Sequence, residues 1–198
     1  MVERNSITSG QYTLAILEKE EDFCCTTSFD CGESDLNEFF RNDAFNHKKE
    51  LLAETYYLEP KKATEEDLFF PVAFVSFLND SIEVNKDERK SIFGKYIKKT
   101  IPYPKYNYRF FPAVKIARLG VYTKYQRRHV GTSLLNMTKE YFLKQNRTGC
   151  RFLTVDAYNK EDVIKFYEHN GFKFLWDQDK EKETRIMFFD LKRFNPQI

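Results

Sequence analysis

The stretch that decides the fold begins with Ile116-Ala117-Arg118-Leu119-Gly120-Val121 and continues into the basic turn Gln126-Arg127-Arg128-His129-Val130-Gly131-Thr132. The first segment has the apolar character of a strand within a sheet. After the turn, apolar residues recur at intervals of four, three and four, at Val130, Leu134, Met137 and Tyr141. This spacing places them on one face of an α-helix. The sequence therefore predicts a strand, a turn and a helix in this order.

A second strand and a second helix follow this unit. Phe152-Leu153-Thr154-Val155 is β-branched and aromatic, and residues 160–169 predict a short helix that Asn170-Gly171 caps. Further strands are expected at 12–16, 50–58, 68–77, 172–175 and 185–191, and a helix with Ser34 as its N-cap carries Leu36, Phe39, Phe40 and Phe45. These elements predict an α/β (α+β) fold with a mixed, mostly antiparallel sheet. We expect one domain over residues 1–198, with an insertion at about 79–113.

The composition is that of a globular protein. The 198 residues are 41% hydrophobic and 31% charged, and 32 basic against 30 acidic side chains leave a net charge of +2. A charge this close to zero gives no general tendency to bind nucleic acid or a membrane surface. The first six residues lack the apolar core of a signal peptide, and no apolar run is long enough to span a bilayer. We therefore expect a cytoplasmic protein with no membrane partner.

The four cysteines, Cys24, Cys25, Cys31 and Cys150, form no CxxC pair and have no histidine at metal-ligand spacing. Disulfides are also out of place in a chain without a secretion signal. We interpret the cysteines as free thiols and expect no metal site.

The stretch 79–113 combines basic and aromatic residues. Its cations include Lys95, Lys98, Lys99, Lys105 and Arg109, and its tyrosines are Tyr96, Tyr103, Tyr106 and Tyr108. Such a mixture can neutralise phosphates and stack a base, which suits a nucleic-acid surface. The simpler interpretation, which we favour, is a solvated lid whose tyrosines pack over the core.

The basic turn is a candidate anion site. Backbone N–H groups at the start of a helix, here 128–132, have no acceptor inside the helix, and the helix dipole favours negative charge there. Arg127 and Arg128 add positive charge, and Gly131 lets the backbone approach a ligand closely. A diphosphate suits this arrangement, although a basic helix start by itself is more often a solvated end.

In this context the turn resembles the Gln/Arg-x-x-Gly-x-Gly/Ala loop of the GNAT superfamily of acyl-CoA-dependent N-acetyltransferases. One position departs, because His129 stands where that pattern has its first glycine. A Cβ there can hinder a positive φ or the closest approach of the backbone to phosphate. The resemblance implies that the loop binds acetyl-CoA, with Gln126, Arg127, Arg128, His129, Val130, Gly131 and Thr132 as the binding residues.

Three further features continue the GNAT resemblance. Leu119-Gly120-Val121 corresponds to a bulged strand that hydrogen-bonds the pantetheine arm, Asn159 to a position that commonly contacts the cofactor, and Phe166-Tyr167-Glu168-x-Asn170-Gly171-Phe172 to the Phe-Tyr-Glu-x-x-Gly-Phe ending. The implied fold is a twisted sheet of about seven strands with helices on both faces. A V-shaped cleft between the 119–121 strand and the strand ending at Val155-Asp156-Ala157 would hold the thioester.

The resemblance implies a catalytic role for Tyr167, because a phenol beside the sulfur can give the departing CoA thiolate a proton. The alternative is a tyrosine packed in the core. No carboxylate stands out as a general base, although Glu54, Glu83 and Asp156 are candidates. A lysine amine, with a pKa of about 10.4, needs a base at neutral pH more than an α-amine of about 7.7. The missing base therefore favours an α-amine as the acceptor. His47, His129 and His169 have no assigned role.

The N-terminal half adds a narrower resemblance. Phe29-Asp30-Cys31-Gly32-x-x-x-Leu36-Asn37-x-Phe39-Phe40 is similar to the opening of a bacterial GNAT branch that includes toxins of toxin-antitoxin pairs. Those toxins acetylate the α-amine of aminoacyl-tRNA. The resemblance to this branch implies that residues 29–40 and the basic insertion recognise the acceptor.

We therefore expect an N-acetyltransferase that moves the acetyl group of acetyl-CoA to a primary amine by direct attack. The first alternative is a toxin that acetylates aminoacyl-tRNA, with tRNA and an antitoxin protein as partners. The second is a CoA-binding module without turnover, which the His129 departure favours. A homodimer is a further partner that we consider.

Overall fold

The computed structural model describes residues 7–18, 28–61, 71–84, 91–101, 108–144, 146 and 149–194. Within these ranges the strands are β1 Ile7–Ser9, β2 Tyr12–Ile16, β3 Glu54–Pro60, β4 Ala73–Glu83, β5 Phe110–Val121, β6 Phe152–Tyr158, β7 Lys173–Phe174 and β8 Thr184–Asp190. The α-helices are α1 Ser34–Glu38, α2 Ala44–Lys49, α3 Ile92–Thr100, α4 Val130–Lys144 and α5 Glu161–His169. A π-helical segment covers Phe39–Asp43, and 3₁₀ turns cover Thr123–Tyr125 and Leu191–Arg193.

The described residues form two compact units. The first unit contains those up to residue 78 together with 116–144, and the second contains 79–115 together with those from 146 onwards. Each unit has its own buried cluster of aromatic and aliphatic side chains. The prediction of a single domain stays a prediction.

The first unit is an antiparallel meander packed against the N-terminal helices. β1, β2 and β3 follow one another, residues 73–78 of β4 come next, and residues 116–121 of β5 lie beside them. β3 and β4 pair with Glu54 opposite Phe77, which confirms the predicted antiparallel pair. The interior is built on Phe74, whose ring stacks on Phe40 with centroids 4.1 Å apart and meets Phe29 edge-on at 5.3 Å. Such pairs add stabilisation beyond the burial of their area.

The second unit contains the C-terminal strands and α3. Residues 79–83 of β4, 110–115 of β5, β6, β8 and β7 follow in this order across its sheet. β6 and β8 are antiparallel, with Phe152 opposite Asp190. Phe93 of α3 is fully buried and lies edge-on to Phe188 and Phe152, with ring centroids 4.9 and 5.3 Å away. The α3 helix is therefore part of the core of this unit.

The fold class is the one that the sequence predicts. Every strand pair whose register is described is antiparallel. The helix predicted after the basic turn is α4, which has Val130, Leu134 and Met137 on its buried face. The predicted C-cap of α5 is also confirmed, since Gly171 has φ 83 and the Phe172 N–H donates to the Tyr167 carbonyl at 3.0 Å.

Two predicted boundaries are wrong by a few residues. Ser34 is the first helical residue of α1, and Glu33 occupies the N-cap position without a side-chain hydrogen bond. β3 begins at Glu54 because the chain turns at Leu51, which has φ 56. A leucine in the left-handed region marks a turn.

The stretch 79–113, predicted as an insertion, contains regular structure at both ends. β4 extends to Glu83 and β5 begins at Phe110. Between them the structure describes α3, which ends in Lys98 and Lys99. Lys105, Tyr103 and Tyr106 lie outside the described residues, as do Cys24, Cys25 and residues 68–70 of the predicted 68–77 strand.

The remaining two cysteines, Cys31 and Cys150, are free and buried, as predicted. None of the helices described here has the length and apolarity needed to cross a bilayer.

A buried ion pair fixes the turn before β8. Arg185 Nε donates to Asp179 Oδ1 at 2.8 Å, and the Ile186 N–H donates to Asp179 Oδ2 at 2.7 Å. Both charged side chains are buried. Removal of one partner would leave the other charge buried without its counter-ion, which is strongly destabilising.

We expect Asp179→Ala to lower the free energy of unfolding by about 3 kcal/mol or more. Urea denaturation measures this loss. Asp177→Ala, at an exposed position of the same turn, is the control and should change stability by less than about 0.5 kcal/mol. Equal losses in the two variants would contradict the structural role of the pair.

Candidate functional site

In the first unit, the predicted cofactor strand is the end of β5. Gly120 is buried there, and a Cβ at this position would lie 2.6 Å from Cε1 of Phe74 and 3.4 Å from Sγ of Cys31. The Phe74 ring is held by its stack on Phe40. Gly120 is therefore required by the close approach of the strand to this ring. Leu119 and Val121 on either side are half-buried.

The Gln126 side chain ties the basic turn to the rest of the unit. Its Nε2 donates to the Cys31 carbonyl at 2.8 Å and to the Val121 carbonyl at 3.0 Å. A primary amide has two N–H donors, and both donors of the Gln126 side chain are used within the protein. Gln126 thus positions the turn. Its Oε1 atom and its backbone remain to make the predicted contact with a cofactor.

The 29–37 motif supports the same turn from the other side. Asp30 Oδ1 accepts hydrogen bonds from the Gly32 N–H at 2.9 Å and from Asn37 Nδ2 at 2.7 Å, which hold the pKa of Asp30 below its usual value. Asn37 Oδ1 accepts from the Cys31 N–H at 2.9 Å, and the Asp30 carbonyl accepts from the Thr123 N–H at 2.8 Å. These polar groups close a loop that presents its carbonyls to residues 123–126.

Sequence reasoning assigned this motif to acceptor recognition and missed its supporting role. The signal was present in Asp30-x-Gly32, because an aspartate followed two residues later by glycine is typical of a side-chain-closed turn. Nothing in the sequence links that turn to residue 126, which lies 95 positions from Cys31.

Two residues of the basic turn have a left-handed backbone. Arg127 has φ 58 and His129 has φ 60. The position of the missing glycine therefore has the conformation that a glycine would favour, although a histidine occupies it. Each such residue costs about 1–2 kcal/mol relative to an ordinary backbone. The Cβ of His129 thus does not prevent a positive φ at this position.

The start of α4 presents donors to a ligand. The helix begins at Val130, and its Ser133 N–H donates to the His129 carbonyl at 2.9 Å. The N–H groups at 129–131 precede this bond and have no acceptor inside the helix. Arg127 and Arg128 are exposed beside them. N–H groups, a helix dipole and two cations together fit a diphosphate.

In the second unit, α5 carries Tyr167. Its side chain is 6% exposed and lies between Phe166 and Phe172, with ring centroids 5.1 and 5.3 Å away. Burial raises the pKa of Tyr167 above the usual value for a phenol. The hydroxyl therefore keeps its proton at neutral pH and can donate a hydrogen bond. Phe166, which the sequence favours as the core residue, is less buried than Tyr167.

Asn159 follows β6 and is exposed. Its Nδ2 donates to the Lys180 and Lys182 carbonyls, each at 2.9 Å, and its backbone N–H donates to the Glu183 carbonyl at 2.8 Å. The amide hydrogens of Asn159 therefore hold the 180–183 turn. As with Gln126, any contact with a cofactor is left to the side-chain oxygen.

The three candidate bases are all paired with cations. Glu54 pairs with Lys48 at 2.6 Å, Glu83 with Arg109 at 2.6 Å, and Asp156 with Lys115 at 2.5 Å. Each of the three carboxylates makes its ion pair through one oxygen. The geometry singles out none of the three as the general base.

A cavity of about 270 Å³ borders Asp156 within the second unit, with Asp80, Thr154 and Trp176 among its lining residues. Thr154 Oγ1 donates to Asp80 Oδ2 at 2.6 Å, so the polar groups of this cavity are mainly paired with one another. Across the described ranges, no three His, Cys, Asp or Glu side chains are grouped so that they could hold a metal ion.

Residues 87–174 match the family model of the acetyltransferase (GNAT) domain. The match covers 88 of the 198 residues. This match confirms the predicted enzyme class, an acyl-CoA-dependent N-acetyltransferase. A search of curated proteins finds no significant match.

Solved structures share the fold over nearly the whole chain. A tyrosine-to-phenylalanine mutant of KacT is 21% identical, with a TM-score of 0.69 over 92% of this chain and 96% of its own. AtaT complexed with acetyl-methionyl-tRNAfMet is 24% identical, with a TM-score of 0.69 over 91% and 95%. The AtaT toxin bound to acetyl-CoA and the C-terminus of its antitoxin AtaR is 18% identical, with a TM-score of 0.67 over 92% and 95%.

We expect Gln126→Leu to weaken acetyl-CoA binding by about thirtyfold, because two hydrogen bonds of about 1 kcal/mol each hold the turn. The turnover number at saturating acetyl-CoA should change little. Titration calorimetry measures the affinity, and Gln11→Leu in the exposed β1–β2 turn is the matched control. Unchanged affinity in Gln126→Leu would show that the turn keeps its shape without these bonds.

We expect His129→Gly to raise the free energy of unfolding by about 1 kcal/mol, because glycine adopts a positive φ without steric cost. His169→Gly makes the same change at the end of α5, where a helical backbone disfavours glycine, and should lower stability by about 0.5 kcal/mol. Denaturant unfolding at fixed pH compares the two. A loss of stability in His129→Gly would contradict backbone strain at this position.

Proposed function

We propose that this chain acetylates the α-amine of aminoacyl-tRNA, with acetyl-CoA as the donor, and that it is the toxin of a toxin-antitoxin pair. The observation that carries the proposal is the likeness to AtaT complexed with acetyl-methionyl-tRNAfMet, which extends over 91% of the chain. The 29–40 motif, similar to the opening of the same branch, supports it from the sequence.

The pairing of the carboxylates supports an α-amine as the nucleophile. An α-amine with a pKa of about 7.7 is partly unprotonated at neutral pH, whereas a lysine amine of about 10.4 must first lose a proton. Glu54, Glu83 and Asp156 are all engaged by cations. A site without a ready base can still use an amine that is already free.

The roles of the chain's own groups follow from their chemistry. The N–H groups at the start of α4, with Arg127 and Arg128, would bind the diphosphate. Backbone N–H groups around Leu119 to Val121 would hold the thioester carbonyl as negative charge develops on its oxygen. The Tyr167 hydroxyl would donate to the sulfur. Acetyl-CoA supplies the acetyl group, which the amine takes by direct attack.

An antitoxin is the protein partner that the likeness to the AtaT–AtaR complex supports. A homodimer stays a prediction.

The proposal is tested by supplying labelled acetyl-CoA together with charged tRNA, uncharged tRNA, a polyamine or a lysine peptide. We expect label in charged tRNA alone among the four acceptors. Transfer to the polyamine or the peptide, with none to charged tRNA, would instead favour N-acetylation of another primary amine.

We expect Tyr167→Phe to lower turnover by about 10²-fold, the lower end of the range for loss of a proton donor, with acetyl-CoA affinity unchanged. Because burial raises the Tyr167 pKa, the wild-type rate should not fall through Tyr167 ionisation as the pH rises from neutral to 10. Tyr108→Phe, at an exposed tyrosine, is the control. Equal turnover in wild type and Tyr167→Phe would remove Tyr167 as the donor.

A further inference from the structure

Helix α3 presents lysines on its outer face. Phe93 and Ile97 are buried in the core of the second unit. Lys95, Lys98 and Lys99 are exposed. Residues three and four apart lie on one face of a helix, so the three ammonium groups share one side. The part of the chain that the structure describes offers none of them an ion-pair partner.

Two further cations lie against Tyr96, the residue that follows Lys95 in α3. Lys173 Nζ of β7 is 5.4 Å from the centroid of the Tyr96 ring, and Arg193 Cζ is 4.7 Å from the same centroid. Both cations are exposed. An aromatic face attracts cations at such distances, so the ring restrains side chains that would otherwise move freely in water.

The Tyr96 side chain packs within the protein and is not placed to stack on a nucleic-acid base. Its hydroxyl donates to Asp190 Oδ2 at 2.8 Å, and its ring meets Phe188 edge-on at 5.2 Å. Burial and the hydrogen bond to Asp190 raise the pKa of Tyr96 to about 12, so it stays neutral. This outcome agrees with the interpretation that a tyrosine of the 79–113 stretch packs over the core.

The carboxylate that accepts the Tyr96 hydrogen bond is already paired with an arginine. Asp190 is 4% exposed, and Arg151 Nη2 contacts its Oδ2 at 3.0 Å. Lys95, Lys98, Lys99, Lys173 and Arg193 form no ion pair with a carboxylate of the described residues. Like charges held together repel one another, and an external polyanion would relieve that repulsion.

We propose that this set of cations, Lys95, Lys98, Lys99, Lys173 and Arg193, binds the phosphate backbone of the RNA acceptor. We name it the Tyr96 surface. The proposal rests on the proposed function for the identity of the RNA. Several separated point charges suit successive phosphates, which carry no sequence information.

An acidic protein is the less suitable partner for the Tyr96 surface. Protein interfaces are anchored by apolar or aromatic side chains at their centre. The members of the Tyr96 surface are all charged, and Tyr96, the ring that lies against two of them, is half-buried. The surface therefore offers charge without an exposed aromatic anchor at Tyr96.

The test compares two triple variants that each remove three positive charges. The first is Lys99→Gln/Lys173→Gln/Arg193→Gln on the Tyr96 surface. The matched control is Lys61→Gln/Lys144→Gln/Lys165→Gln, at exposed lysines outside it. Fluorescence anisotropy with uncharged tRNA at several salt concentrations gives both affinity and its salt dependence.

We expect the first triple to weaken tRNA binding by at least about tenfold and to reduce the slope of log K against log salt by about 0.7–0.9 per lost phosphate contact. The control triple should keep the wild-type slope. A charge-preserving variant, Lys99→Arg/Lys173→Arg/Arg193→Lys, should bind tRNA like wild type. Equal slopes in the two glutamine triples would overturn the proposal, as would loss of binding to an acidic peptide with no change for tRNA.

Acetyl transfer to charged tRNA separates this proposal from the proposed function. Suppose that wild type acetylates charged tRNA while the first triple variant keeps the wild-type slope of log K against log salt. In that case the proposed role of the Tyr96 surface is wrong and the proposed function stands. If wild type transfers no acetyl group but the triple loses its slope, the surface binds RNA and the function is wrong.

Discussion

The two hydrogen bonds from Gln126 Nε2 are the constraint on which the basic turn depends. The turn holds Arg127 and His129 in the left-handed region, a conformation that L-residues avoid unless the surroundings impose it. Gln126 fixes the beginning of the turn to the Cys31 and Val121 carbonyls, and α4 fixes its end. Asp30 and Asn37 hold the Cys31 segment in place. The shape offered to a diphosphate is therefore set by groups that need not contact it.

The second unit uses its polar side chains in the same way. The Asn159 amide holds the 180–183 turn, and the Tyr96 hydroxyl anchors α3 to Asp190. The paired carboxylates add to this pattern, since each neutralises a lysine or an arginine. The groups left for ligands are backbone N–H donors, exposed cations and the buried phenol of Tyr167. That inventory suits binding of phosphate groups and transfer to an amine that is already unprotonated.

Local patterns in the sequence predicted the elements well, because the period of apolar residues decides which face of a helix or strand is buried. The α4 helix and the cap at Gly171 are examples. The GNAT loop was found through its residue types, yet the physical role of Gln126 was not, because its two acceptors come from different segments. The φ of His129 shows the same limit: the residue type predicted hindrance, and the surrounding turn imposes the conformation that a glycine would favour.

The 79–113 stretch shows where sequence reasoning was too coarse. Lys95, Lys98 and Lys99 were recognised as basic, but the two cations that lie against Tyr96 of the same helix, Lys173 and Arg193, come from far along the chain. Tyr96 was considered as a base-stacking residue, whereas its hydroxyl and ring are used within the core. The alternation and spacing of residue types indicate how residues close together along the chain are arranged. Contacts between distant segments could be found only from the folded structure.

The most direct test of the central claim is to locate the transferred acetyl group. Charged tRNA is incubated with the protein and acetyl-CoA, digested to its terminal aminoacyl-adenosine, and analysed by mass spectrometry. We expect an acetyl group on the α-amino nitrogen of the amino acid. Aminoacyl-adenosine without an acetyl group, from a protein that acetylates another amine under the same conditions, would contradict it.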